Sequence, residues 1–216
     1  MSIVEIFQAG GFLMYPLGLA YLLTAALIVE RALNLRESRI LNPNVVDRVT
    51  DLVEAGRPER AIQACRDSPS IFTNIVVAGL ELAGKGEMRA KEAIEDAGRH
   101  ETLKLKRNLN ALGTIAAVAP LVGLLGTVTG MILVFRTIAD TGGGQAAALS
   151  TGIFQALITT ATGLSVAIPA LIAHNFFQEK VEVIVSALER VSLRALHGLY
   201  PVQTEAVIAP VAEEIE

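Results

Sequence analysis

The chain has 216 residues, 52% of them hydrophobic and 19% charged, with a net charge of −4 and a mean hydropathy of +0.49. An ordinary globular domain carries roughly 45–50% apolar residues even with glycine counted, so this composition argues against a soluble domain. A single cysteine, Cys65, excludes an internal disulfide framework and a thiolate cluster, and no basic stripe suggests nucleic acid.

Residues 1–11 contain no Lys or Arg and read as a short N-terminus on the outer side. The chain is then uncharged from Phe12 to Val29. About 20 apolar residues cross a bilayer, so a first span is predicted at 12–32. It lacks the basic flank and the small-residue cleavage site of a signal peptide and is read as a retained helix.

Residues 33–110 hold thirteen of the eighteen lysines and arginines and read as a cytoplasmic helical region. Within it, Pro43–Ala55 places Val45, Val46, Val49, Leu52 and Val53 at helical spacing. Gly56-Arg-Pro58 ends that helix and starts another over Pro58–Arg66. Asp67-Ser-Pro-Ser70 makes a turn able to cap a third over Ile71–Ala83, and Gly84-Lys-Gly86 breaks the chain again. From Glu87 no strong breaker occurs before Pro120, which predicts one long helix entering the membrane as span two, 111–138.

An outer loop at 139–148 contains the turn signal Thr141-Gly-Gly-Gly-Gln145. Span three is placed at 149–177 and continues as a cytoplasmic helix over 178–200, with Val181, Val185, Leu188 and Leu196 on one face. Residues 201–216 form an acidic tail. Basic residues are absent before span one and from Ala139–Ser150, so the positive-inside rule puts the N-terminus out and the C-terminus in. The predicted fold is an all-α integral membrane protein: three spans, with spans two and three extended into a cytoplasmic helical bundle.

Spans two and three carry small and polar residues where lipid contact alone would take Leu. On span two, Pro120, Gly123, Gly126, Thr127 and Gly130 fall on one face, and Gly126–Gly130 is a GxxxG pair. On span three, Gly152, Gln155, Thr159, Thr160 and Gly163 form a similar arc. Pro120 and Pro169 each free a backbone carbonyl that needs a partner or a wet cavity. Spacing leaves two readings open. One is close helix packing, by Pro120, Gly123, Gly126, Gly130, Gly152, Gly163 and Pro169. The other is a polar wall, on which Thr127, Gln155, Thr159 and Thr160 line a path.

Neither stretch contains Asp, Glu or Lys, and its one histidine, His174, sits near the inner boundary. Proton relays through membranes normally run on ionisable side chains, so a proton path here requires a titrating group from another chain. No Ser/His pairing, paired carboxylate or HExxH motif is present, and His100, His174 and His197 lack ligand spacing. Neither enzyme chemistry, a metal site nor a cofactor is expected.

Three segments carry a resemblance: Ala119-Pro-Leu-Val-Gly-Leu-Leu-Gly-Thr127, Gly152-Ile-Phe-Gln-Ala-Leu-Ile-Thr-Thr-Ala-Thr-Gly163 and Ala167-Ile-Pro169. Together they resemble the MotA/TolQ/ExbB proton-channel family, on its ExbB and TolQ branches, and the likeness covers nearly the whole chain. The resemblance implies a homo-oligomeric ring of five copies in the bacterial inner membrane, with spans two and three lining a pore. It implies an ExbD/TolR-like single-span partner whose membrane Asp carries the proton, and a TonB- or TolA-like periplasm-spanning protein that receives the motion.

By motif match, Thr127 and Thr160 correspond to the family's pore threonines, placed to hydrogen-bond that Asp or its water. Gln155 departs from the pattern, because several members carry Glu there and Gln cannot hold a proton. The function implied is a motor subunit that uses the proton motive force for TonB-dependent outer-membrane transport. A TolQ-type Tol-Pal envelope motor and a gliding-motility motor share the same motifs. A non-conducting membrane scaffold would use the same small-residue faces.

Overall fold

The computed structural model describes residues 5, 7, 9–35, 40–141 and 146–200. The expected turn at 142–145, the acidic tail at 201–216 and most of the segment 1–11 lie outside the described residues. Six α-helices occur among the described residues longer than a turn: α1 (Met14–Asn34), α2 (Pro43–Glu54), α3 (Pro58–Asp67), α4 (Ile71–Leu82), α5 (Glu87–Thr141) and α6 (Ala146–His197). No strand is present among them.

The short helices begin and end where local chemistry dictates. Asn42 caps α2 by accepting from the Asn44 backbone N–H at 3.2 Å, and Pro43 takes the first-turn position whose N–H needs no partner. Gly56 follows with φ +66°, a left-handed geometry that glycine adopts without strain, and Pro58 opens α3. Ser70 and Thr73 form a reciprocal capping box at the start of α4. A 3₁₀ turn over Ala83–Lys85 and Gly86 at φ +109° separate α4 from α5.

Two helices are very long. α5 has 55 residues and passes through Pro120, while α6 has 52 and passes through Pro169. Neither proline terminates its helix, so the apolar run beyond Pro120 continues α5 to Thr141. α1, α5 and α6 are each long and apolar enough to cross a membrane.

The chain divides into two compact units. The first comprises Met1–Leu35 and Lys104–Glu182. Its interior is built from Met14 and Leu17 of α1, Ala119 of α5, and Val166 and Ala167 of α6, with Ile115, Val122 and Ile158 packed around them. Its outer surface is strongly apolar: Leu121, Ile132, Phe135, Leu157, Ile168 and Ile172 are all exposed. Such a surface is suited to lipid tails and would be a liability in water.

The second unit comprises Arg36–Leu103 and Val183–Glu216. Val49, Val53, Phe72, Val76, Ile94 and Leu188 are buried there, and the Tyr200 hydroxyl donates to the Ala83 carbonyl. Cys65 is 1% exposed, and burial pushes its thiol up to about 11 because the thiolate would be desolvated. At pH 8 only about a thousandth of it is then ionised. Maleimide labelling of Cys65 is expected to be more than about a hundredfold slower in the folded protein than in denaturant. Equal rates would contradict the placement of this side chain.

Candidate functional site

The small residues of α5 and α6 meet each other within the chain. Glycine lacks a Cβ, so two helices can approach until backbone touches backbone. A Cβ on Gly163 would stand 2.7 Å from the Ala119 carbonyl oxygen and 3.0 Å from the Gly123 Cα. One on Gly123 would stand 3.1 Å from the Thr159 carbonyl oxygen, and one on Gly130 2.9 Å from that of Gly152. Gly126 leaves room for the Thr159 side chain, and Gly152 for that of Val134. The packing set of the sequence reading thus gathers Gly123, Gly126, Gly130, Gly152 and Gly163 into one antiparallel seam. Of the two prolines, Pro120 is half-buried and Pro169 is exposed.

The hydroxyls divide by position. Thr159 is 1% exposed, wedged against Gly126, and donates to the carbonyls of Gln155 and Ala156 in its own helix. Thr160 is half-buried and bonds across the seam, its Oγ1 donating to the Gly123 carbonyl at 3.0 Å. Thr127 is half-buried and donates to the Leu124 carbonyl at 2.7 Å. In an α-helix the Gly123 carbonyl also accepts the Thr127 N–H four residues on, so the Thr127 backbone N–H and the Thr160 hydroxyl meet at one carbonyl while the Thr127 hydroxyl holds the next, that of Leu124.

Each hydroxyl has placed its single hydrogen on a backbone oxygen and keeps lone pairs free to accept. An acid O–H could bond to either oxygen without disturbing the seam. A carboxylate needs donors, so it could be met only if a hydroxyl turned away from its carbonyl.

Gln155 is half-buried, and its Nε2 lies against Gly11, which has φ +70°. A Cβ at Gly11 would collide with that amide, so glycine is required there on two counts.

A second polar cluster was not marked by the sequence reading. Arg31 is 6% exposed, its Nη1 donates to the Leu105 carbonyl at 3.0 Å, and its Nε lies 3.0 Å from Glu30 Oε2. That Nε contact is a charge contact rather than an aligned hydrogen bond. Glu30 also accepts from Asn34 at 2.7 Å and Asn108 at 3.2 Å. One turn along α5, His174 Nδ1 lies 2.8 Å from the Leu109 carbonyl. The signal was available in the adjacent Glu30-Arg31 closing an apolar run, but sequence does not say which backbone oxygen such groups will meet.

Residues 67–190 match a family described as the MotA/TolQ/ExbB proton channel family. The chain is 32% identical over 173 residues to an ExbB-like biopolymer transport protein of Synechocystis, covering 79% of this chain and 82% of that protein. It is 34% identical over 155 residues to the biopolymer transport protein ExbB of Xanthomonas campestris, covering 63% of this chain and 61% of that one. To the Tol-Pal system protein TolQ of Pseudomonas aeruginosa it is 33% identical over 144 residues, covering 67% and 57% respectively.

Proposed function

The chain belongs to the MotA/TolQ/ExbB proton channel family, and on that footing we propose that it is the ring-forming subunit of a proton-driven motor. It is a multi-pass membrane protein with three helices able to span. The observation that carries the reading is the α5–α6 pair, which anchors two hydroxyls on the successive carbonyls of Gly123 and Leu124 and offers no carboxylate of its own. A proton path along it needs an acid from outside the chain.

In this reading five copies surround a pore in the bacterial inner membrane, N-terminus outward, with residues 33–110 and 178–200 in the cytoplasm. A single-span partner of the ExbD/TolR kind stands inside and supplies its membrane Asp. Thr127 and Thr160 face that group, Gln155 stands on the same path as a hydrogen-bonding side chain, and Thr159 supports the wall from behind. While the Asp is protonated, its O–H is accepted by a threonine oxygen and the Thr160–Gly123 bond stays closed. When the proton leaves, the carboxylate draws a hydroxyl hydrogen to itself and that bond opens. Charge on the partner is thereby coupled to the contact between the two wall helices. One charge crossing 100 mV supplies about 2.3 kcal/mol, comparable with one or two such bonds.

The work delivered is transport across the outer membrane through a TonB-like periplasm-spanning protein. A Tol-Pal envelope role through a TolA-like protein is the second reading, favoured by a TolQ relative as similar as the ExbB ones. The test is reconstitution into liposomes with the single-span partner. Proton uptake is expected with the partner's membrane Asp intact and is lost when that Asp is Asn. Uptake that is the same with both partners would sink the proposal.

A further inference from the structure

The α5–α6 seam is made mainly of glycine and alanine, with the Thr159 side chain seated at Gly126 and that of Val134 at Gly152, and such a surface has a mechanical weakness. Helices normally resist sliding because ridges of large side chains lock into facing grooves. This seam has few such ridges, so its close approach specifies the separation of the helices better than their axial register. Directed bonds between fixed points therefore help to set register. The bond from Thr160 Oγ1 to the Gly123 carbonyl and that from His174 Nδ1 to the Leu109 carbonyl both cross the seam. Leu109 and Gly123 are fourteen residues apart, and so are Thr160 and His174. The bonds thus describe one antiparallel register at two points about 21 Å apart.

The inner point is built for this bond. Leu109 is 2% exposed, and its carbonyl keeps a second lone pair after its own helix bond is made. Gly113, one turn on, leaves room for the imidazole: a Cβ there would stand 3.0 Å from His174 Cε1 and 3.3 Å from Nδ1. A carbonyl oxygen only accepts, so the geometry requires the hydrogen on Nδ1.

We propose that His174 is a positioning residue: by donating from Nδ1 to the Leu109 carbonyl it fixes the axial register of α6 on α5, and so the height at which Thr160 stands beside Thr127. It acts through that N–H. The consequence for proton transport rests on the function proposed above, whereas the bond and the register do not.

Two measurements decide it. In the complete protein labelled with ¹⁵N-histidine, with the His174 signal assigned by its loss in His174→Asn, the ring at pH 8 is expected to carry its hydrogen on Nδ1. An Nδ1 without hydrogen overturns the proposal whatever the protein's activity. In liposomes with the partner, His174→Asn, which presents an amide N–H near the same place, is expected to keep at least half of the proton uptake. His174→Leu is expected to lose about tenfold while remaining assembled. If Asn fails as badly as Leu, an N–H at that place does not suffice and the positioning role is wrong; if Leu works normally, the bond is dispensable and it is also wrong. Should the wild type take up no protons, the motor reading fails and the nitrogen signal alone judges the register bond.

Discussion

Replacing Thr160 by Val is expected to lower partner-dependent proton uptake at least a hundredfold while the assembled oligomer persists. Val has nearly the shape of Thr, so the seam keeps its packing. The Gly123 carbonyl loses one donor but retains its helix bond, and no buried group is orphaned. The stability cost should therefore be about 0.5–1.5 kcal/mol, the net worth of one ordinary hydrogen bond. What disappears is the hydroxyl that would accept from a protonated acid and donate to its anion. Thr160→Ser restores the hydroxyl and should recover most of the uptake. Thr127→Val should behave like Thr160→Val, since its hydroxyl, held on the Leu124 carbonyl, sits one residue along α5 from the carbonyl that Thr160 bonds. Uptake and native mass of the purified complex check both halves, and normal uptake in both Val variants would remove the threonines from the path.

Gly163→Val should instead destroy the seam. The first added carbon would already stand 2.7 Å from the Ala119 carbonyl oxygen and 3.0 Å from the Gly123 Cα. Both neighbours are backbone, so no side-chain rotation relieves the clash and the helices must separate. Separation opens the Thr160–Gly123 bond and leaves voids along Gly126 and Gly130. Overpacking costs about 1–3 kcal/mol where side chains can yield, and more is expected here. Gly98→Ala is the informative control, because its added carbon would meet nothing within 4 Å. Denaturation in detergent should show Gly163→Val far more destabilised than Gly98→Ala, with loss of assembly. Equal costs would mean that the seam is not tight.

Most of the short-helix region was legible because its signals are local. Pro43, Pro58 and Ser70 act within one turn of helix, and Gly56 and Gly86 supply positive φ where the chain reverses. The long helices were legible for the opposite reason, a lack of breakers. Pro120 and Pro169 were harder to read: sequence shows that each frees a carbonyl but not where the ring will lie, and Pro169 stands exposed. Periodicity marked Thr159 and Thr160 together as polar positions on one arc. A rotation of about 100° between neighbours buries the first against Gly126 and turns the second toward Gly123.

By itself the sequence determined that three stretches can cross a membrane, that two of them are glycine-rich, and that neither carries a carboxylate. These follow from composition and order, which no folding can alter. Only the tertiary structure decided that the glycines of α5 meet those of α6 in the same chain, that Thr160 bonds the Gly123 carbonyl across the seam, and that His174 and Arg31 reach α5 backbone oxygens one turn apart. The reason is that helices apolar on nearly every side have little polar contrast to orient them. Which face meets which is then settled by backbone approach and single directed bonds between residues distant in sequence.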